Sequence, residues 1–179
     1  LIINNVEFDH ADIYRNLEEI KTSFRRVINI VPGNGHIIAN IDDPVVCELL
    51  EKSYSQLYPF GFSQQASWRA QNVRVTQSGT TFEICHRGET LAEVQSALMG
   101  KHNVQNTLAA FIAAEVLGIS RESTLKAIRT FRGVRRRMTK LAEVKEILVY
   151  EDFAHHATAV KETLAGVRAR FPERRIWAI

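Results

Sequence analysis

The sequence has little that would staple or anchor a chain. Its 179 residues include two cysteines, four prolines and two tryptophans. Cys47 and Cys85 alone cannot make a disulfide scaffold or a metal knuckle, so a reducing, cytoplasmic setting is expected. No apolar run approaches the roughly 18 to 20 residues that a spanning helix needs, so no membrane partner is expected. Neither charge sign dominates: 23 Lys+Arg against 20 Asp+Glu leave a net charge of +3. That mild excess argues against nucleic acid as a partner. A Gly-x-x-x-x-Gly-Lys-Ser/Thr loop is missing as well, because Gly100-Lys101 runs into His102. No signal peptide, repeat or low-complexity segment is visible. The sequence opens at Leu1 inside an apolar run, and residues 174–179 read as a buried strand. A piece of a longer protein is therefore expected.

What is present is an ordinary globular mixture, 45% apolar and 24% charged. Residues 1–4 read as the end of a buried strand. Ile13, Leu17, Ile20, Phe24 and Val27 share one face of a helix expected over 12–27. A turn cluster, Pro32-Gly33-Asn34-Gly35, precedes a strand over 36–41. Pro44 opens a helix over 45–52, and another short strand follows over 57–62. From Trp68 to Leu98 three alternating runs, separated by Gln77-Ser78-Gly79 and Arg87-Gly88-Glu89, read as an antiparallel meander. Helices are expected over 102–117, with a broad apolar face, and over 121–130, capped by Ser120. Two short strands (138–144 and 147–151), a helix over 157–170 and the final strand complete an α/β order with one antiparallel insert.

Four clusters could carry chemistry, and each has a plainer alternative. Glu7-Phe8-Asp9-His10-Ala11-Asp12 follows a strand, where open α/β sheets bind ligands, so its carboxylates and imidazole could hold a divalent ion. Equally, its aspartates could cap a helix. Asn103 and Asn106, three apart at a helix start, present paired donors and acceptors suited to adenine. Asn103 could instead be a cap. Arg132, Arg135, Arg136 and Arg137 suit phosphate oxygens, or form a solvated charge run. Asp152, at a strand end, could accept from a ribose hydroxyl. His155 and His156 are adjacent and point to different sides of a helix, so one ion is not expected to bind both. Cys47 and Cys85 read as core residues.

In order and separation, these four motifs resemble the ATP-dependent Mur ligase family, whose members make peptide bonds on nucleotide-linked muramic acid. The likeness rests on residues 7–12, Gly100-Lys101-His102-Asn103-Val104-Gln105-Asn106, residues 131–137 and residues 150–156, and it covers the whole chain. It implies that residues 1–137 belong to a P-loop-type central ATPase domain, with a mostly parallel sheet and an antiparallel insert. Residues 138–179 would then open a Rossmann-like C-terminal domain. The phosphate-binding loop and the UDP-binding domain would lie upstream.

The resemblance also implies ATP and Mg²⁺ as cofactors. His10 would ligate the metal and Asp9 would orient it. His102, Asn103 and Asn106 would hold adenine, and Asp152 the ribose. Arg137, with Arg136 beside it, would reach ATP phosphate. His155 and His156 would lie near the incoming amine. Residues 6–12 and 26–33 favour the members that join the recycled tripeptide L-alanyl-γ-D-glutamyl-meso-diaminopimelate to UDP-N-acetylmuramate. The members that add L-alanine are the alternative. Met138-Thr139 and Ala157 depart from the family, which has an apolar residue then Glu, and Pro, at those positions. Two readings from other classes remain open: a non-catalytic nucleotide-binding module and, given a pI near 9.0, a basic nucleic-acid binder.

Overall fold

The computed structural model describes residues 1–179. A six-stranded sheet has the order β1 (Ile2–Ile3), β2 (His36–Asn40), β3 (Gln56–Gly61), β4 (Trp68–Thr76), β5 (Gly79–His86) and β6 (Glu89–Ser96). β1 to β4 run parallel, and β4, β5 and β6 pair antiparallel. The expected antiparallel insert is thus a continuation of the main sheet. Phe60 and Gly61, at the end of β3, pair with Trp68 and Arg69 at the start of β4. β4 runs on from there, so a short connection suffices between two parallel strands.

Alternation along β2 divides the core. Ile38 faces one side with Phe60, Phe82, Leu108, Phe111 and Ile112. Ile37 and Ala39 face the other with Ile3, Ile20, Val46 and Leu49. The first side is covered by α3 (Lys101–Val116) and α4 (Arg121–Thr130), the second by α1 (Leu17–Asn29) and α2 (Pro44–Leu50). The result is a three-layer α/β body. Its central helix α3 buries seven residues, as the broad apolar face anticipated.

Local chemistry sets the helix starts. α1 begins at Leu17, later than expected, because Asn16 is the cap: its side chain accepts from the Glu19 N–H. Glu18 and Glu19 then sit in the first turn, where the helix dipole favours them. Asp43 caps α2 by accepting from Val45 and Val46 N–H, with Pro44 following. Ser120 caps α4 as expected. Asn103 caps nothing. The position before α3 is Gly100, and Asn103 lies inside the helix, donating its amide back to the Met99 carbonyl at 2.6 Å.

Residues beyond the linker form a second unit: a hairpin of β7 (Thr139–Val144) and β8 (Ile147–Glu151), then α5 (Ala157–Arg170). The strand expected over 174–179 does not form. No strand pairs with it, and Trp177 and Ile179 are exposed. α5 lies against the main body. A Cβ added to Gly166 would stand 3.1 Å from the Gly100 Cα, so the two backbones touch. Arg170 donates to the Gln77 carbonyl at 2.8 Å and the Ala97 carbonyl at 3.2 Å. No helix is long and apolar enough to cross a membrane.

Phe111 is completely buried between α3 and the sheet. Phe111→Ala is expected to lower unfolding free energy by about 3–5 kcal/mol. Urea unfolding checks this. A loss under about 1 kcal/mol would mean that α3 does not hold the core together.

Candidate functional site

A cleft of about 1230 Å³ opens at the carboxyl ends of the parallel strands, where open α/β sheets place ligands. Asn4 follows β1, Asn40 and Asp42 close β2, and Phe62 follows β3. Lys101, His102, Asn103 and Asn106 come from the start of α3. The opposite wall is the second unit: Arg137 and Met138 from the linker, Asp152 after β8, and Thr158 and Glu162 from α5.

Three sets of contacts hold these walls in place. The Asp42 carboxylate accepts from Phe62 and Ser63 N–H at 2.7 and 2.9 Å, fixing the turn after β3. Gly61 makes room for it, since an added Cβ would meet the carboxylate oxygen at 2.5 Å. Asp152 fixes the linker, accepting from Met138 N–H and Ala154 N–H, both at 2.8 Å, and from the Thr163 hydroxyl at 3.4 Å. Met138 and Arg136 both have positive φ, a costly conformation for such residues, and these contacts help to hold it. The third set joins Asn4 to its neighbours. Its side-chain N–H donates to the Asn106 Oδ1 at 2.5 Å, and its carbonyl accepts from Asn40.

His102 lies in this cleft with its Nδ1 buried and without a hydrogen-bond partner. Burial holds its imidazole below the usual range, and the positive charge of Arg137 acts in the same direction. Glu162 and Asp152 oppose this more weakly than burial does. The ring is therefore neutral at pH 7. Asn103 has its N–H₂ committed to Met99, which leaves its Oδ1 as an acceptor. Asn106 has its Oδ1 engaged by Asn4, and its N–H₂ has no protein partner.

The other expected site residues gather elsewhere. The Asp9 carboxyl accepts from the His10 N–H at 2.6 Å. That bond, more than the imidazoles nearby, lowers its pKa. Asp9 also lies 3.0 Å from His156 Nε2, although the angle does not make a hydrogen bond. His10 is held at positive φ with its side chain 66% exposed. The His155 and His156 rings are 4.2 Å apart, and His155 Nδ1 meets the Phe153 carbonyl at 2.8 Å. Asp9, His10 and His156 are thus neighbours across the two units, but no three His, Cys, Asp or Glu side chains converge as metal ligands. Arg136 parts company with Arg137. Its guanidinium donates to Glu151 at 3.1 Å and lies 4.9 Å from the Phe153 ring centre, outside the cleft lining.

Comparison with known proteins decides the family. A model described as the Mur ligase middle domain matches residues 1–114. The chain belongs to the Mur ligase family. A UDP-N-acetylmuramate–L-alanine ligase of Dictyoglomus turgidum is 38% identical over 170 residues, covering 94% of this chain and 36% of that protein. The crystal structure of a murein peptide ligase from Psychrobacter arcticus is 31% identical with a TM-score of 0.68, covering 98% of this chain and 36% of that one. A UDP-N-acetylmuramate–alanine ligase structure from Thermotoga maritima gives a TM-score of 0.79 at 23% identity, covering 96% and 38%, and so speaks for the fold. The chain spans a little over a third of the length of these relatives.

Sequence reading missed Asn4, Asp42 and Glu162 in the cleft. Asn4 and Asp42 each follow a parallel strand, so the strand-end rule applied to His10 would have found them. Glu162 carried no signal, because its place depends on how α5 docks.

The half-buried His102 gives a pH dependence. Its folded pKa lies below the unfolded value of about 6.5, so the unfolded chain binds more protons between the two. Its effect on stability is neutral above about pH 7 and grows more unfavourable as pH falls through that window. Denaturant unfolding from pH 5 to 7.5 should show stability rising with pH, and His102→Gln should flatten the rise. An equal slope in the variant would show that His102 is not the buried group responsible.

Proposed function

We propose that this chain is the part of an ATP-dependent ligase that holds the adenosine of ATP, acting on UDP-N-acetylmuramate through an acyl phosphate. One observation carries the reading. His102, Asn103, Asn106, Arg137 and Asp152, drawn from three separate motifs, all line one cleft at the parallel strand ends. Asn103 offers an acceptor and Asn106 a donor, which complement the amino group and a ring nitrogen of adenine. His102, neutral, packs against the base. Arg137 directs its guanidinium charge to the phosphates. Asp152 retains free lone pairs for a ribose hydroxyl beyond those it gives the linker.

Two domains meet in this cleft on the same reading, the central one ending near residue 137 and the C-terminal one starting at 138. Closing them together brings Arg137 and Asp152 over the nucleotide and excludes water. His155 and His156 then stand beside Asp9 and His10, where the attacking amine would enter. The donor set at His10 suits Mg²⁺ only in part: one exposed imidazole and the Asp9 carboxylate, with phosphate oxygens and water completing the shell. Bound there, the ion would neutralise phosphate oxygens as charge develops on them. The sequence contains no phosphate-gripping loop, so residues 1–179 by themselves are expected to be inactive.

For the amine we favour the tripeptide L-alanyl-γ-D-glutamyl-meso-diaminopimelate, on the run Val6-Glu7-Phe8-Asp9-His10-Ala11-Asp12 and the 31% identity to a murein peptide ligase. L-Alanine is the second reading, supported by curated relatives such as that of Dictyoglomus turgidum. In the full-length enzyme, ADP release with UDP-N-acetylmuramate is expected to show kcat/KM at least about tenfold higher for tripeptide than for L-alanine, a difference of about 1.4 kcal/mol in transition-state binding. The opposite order would assign L-alanine, and no ADP release with either amine would remove the ligase reading. His10→Ala should raise the Mg²⁺ concentration needed for half-maximal rate. An unchanged Mg²⁺ dependence would remove His10 from the metal site.

A further inference from the structure

Asn4 belongs to none of the motifs that drew attention to the cleft. It is the first residue past β1 and lines the cleft beside α3. Its side-chain N–H₂ donates to the Asn106 Oδ1 at 2.5 Å, joining residues 102 positions apart. Its own Oδ1 is buried and has no partner. Its backbone carbonyl, held by Asn40 at 2.8 Å, fixes where the side chain starts.

An amide side chain has two nearly isosteric ends of opposite polarity. Left alone, Asn106 could present either end to a ligand. A donor held against its Oδ1 removes that choice and leaves its N–H₂ facing a ligand acceptor. We propose that Asn4 is a positioning residue for base recognition: it sets which end of the Asn106 amide a purine meets. This rests on the adenine-site reading above. Asn103 is polarised in the opposite sense, through Met99. The two amides therefore offer one acceptor and one donor, the pattern matched by the amino group and N1 of adenine. Hypoxanthine reverses both, with an oxygen at position 6 and a protonated N1. Correctly oriented amides therefore favour ATP over inosine triphosphate.

The test substitutes Asn4 in the full-length ligase and reads KM for ATP and for inosine triphosphate. Asn4→Asp is nearly isosteric but only accepts, so Asn106 must turn its N–H₂ toward it and offer its Oδ1 to the base. The ATP preference over inosine triphosphate is expected to fall about tenfold, equivalent to one hydrogen bond of about 1.4 kcal/mol, with kcat for ATP within about twofold. Asn4→Ala frees Asn106 to adopt either orientation, and the preference should fall only about two- to threefold. A residue that merely packs would give the reverse order, because Ala removes more contact than Asp. A charge effect on the phosphates would weaken both nucleotides alike and leave the ratio unchanged.

Asn106→Ala separates the two layers of inference. If it lowers ATP affinity while both Asn4 variants keep the wild-type ratio, the positioning role is overturned and the adenine site stands. If Asn106→Ala leaves ATP affinity unchanged, the adenine-site reading fails, and the role of Asn4 with it. Loss of the ratio in the order Asp before Ala, with Asn106→Ala impaired, supports the proposal. The Asn40 contact uses the backbone of Asn4, so neither variant removes it.

Discussion

The cleft depends on a contact between two backbones. Gly166 of α5 packs on Gly100: a Cβ at Gly166 would stand 3.1 Å from the Gly100 Cα, tighter than ordinary contact, while one at Gly100 would meet the His102 ring at 2.7 Å. Gly100 also has φ near +89°, in the region that glycine tolerates and other residues avoid. One glycine therefore turns the chain into α3, seats the His102 ring and receives α5. Arg170, donating to carbonyls at Gln77 and Ala97, ties the far end of α5 to the turn between β4 and β5 and to the segment after β6. With α5 fixed at these points, Asp152 and the exposed Arg137 line the cleft at the strand ends.

That arrangement explains the electrostatics of the site. Covering the start of α3 half-buries His102 and favours its uncharged form, which suits the proposed packing on a base. The two amides beside it, Asn103 and Asn106, each have one end committed inside the protein. Committed partners reduce the reorganisation needed when a ligand arrives, the general advantage of preorganised polar groups. Asp152 works in both directions. It stabilises the left-handed linker through Met138, and it presents its remaining lone pairs to the cleft.

Much of this was legible in the chain. The alternation from Trp68 to Ser96, the helix over 157–170 and the Ser120 cap follow from local patterns, and they formed where those patterns put them. The four motifs also indicated the family. Long-range facts were not legible. Asn16 outcompeted the apolar spacing that suggested a start at Asp12, because its side chain could accept from a helix N–H and Ile13 found nothing to pack against. Residues 174–179 have the composition of a strand, yet a strand needs a partner, and none is adjacent. Arg136 and Arg137 are indistinguishable by sequence. Both guanidinium groups lie over the Phe153 ring, at 4.9 and 5.8 Å, but only Arg136 is tied to Glu151, and only Arg137 lines the cleft. The nearness of Asp9 to His156 depends wholly on how α5 docks.

The most direct test is a crystal structure of the full-length enzyme with Mg²⁺ and a non-hydrolysable ATP analogue. The adenine base should lie against His102, with its amino group toward Asn103 and a ring nitrogen toward the Asn106 N–H₂. Arg137 should point at the phosphates and Asp152 at the ribose. A base bound away from the start of α3, with these side chains still free, would contradict the assignment of this cleft to ATP.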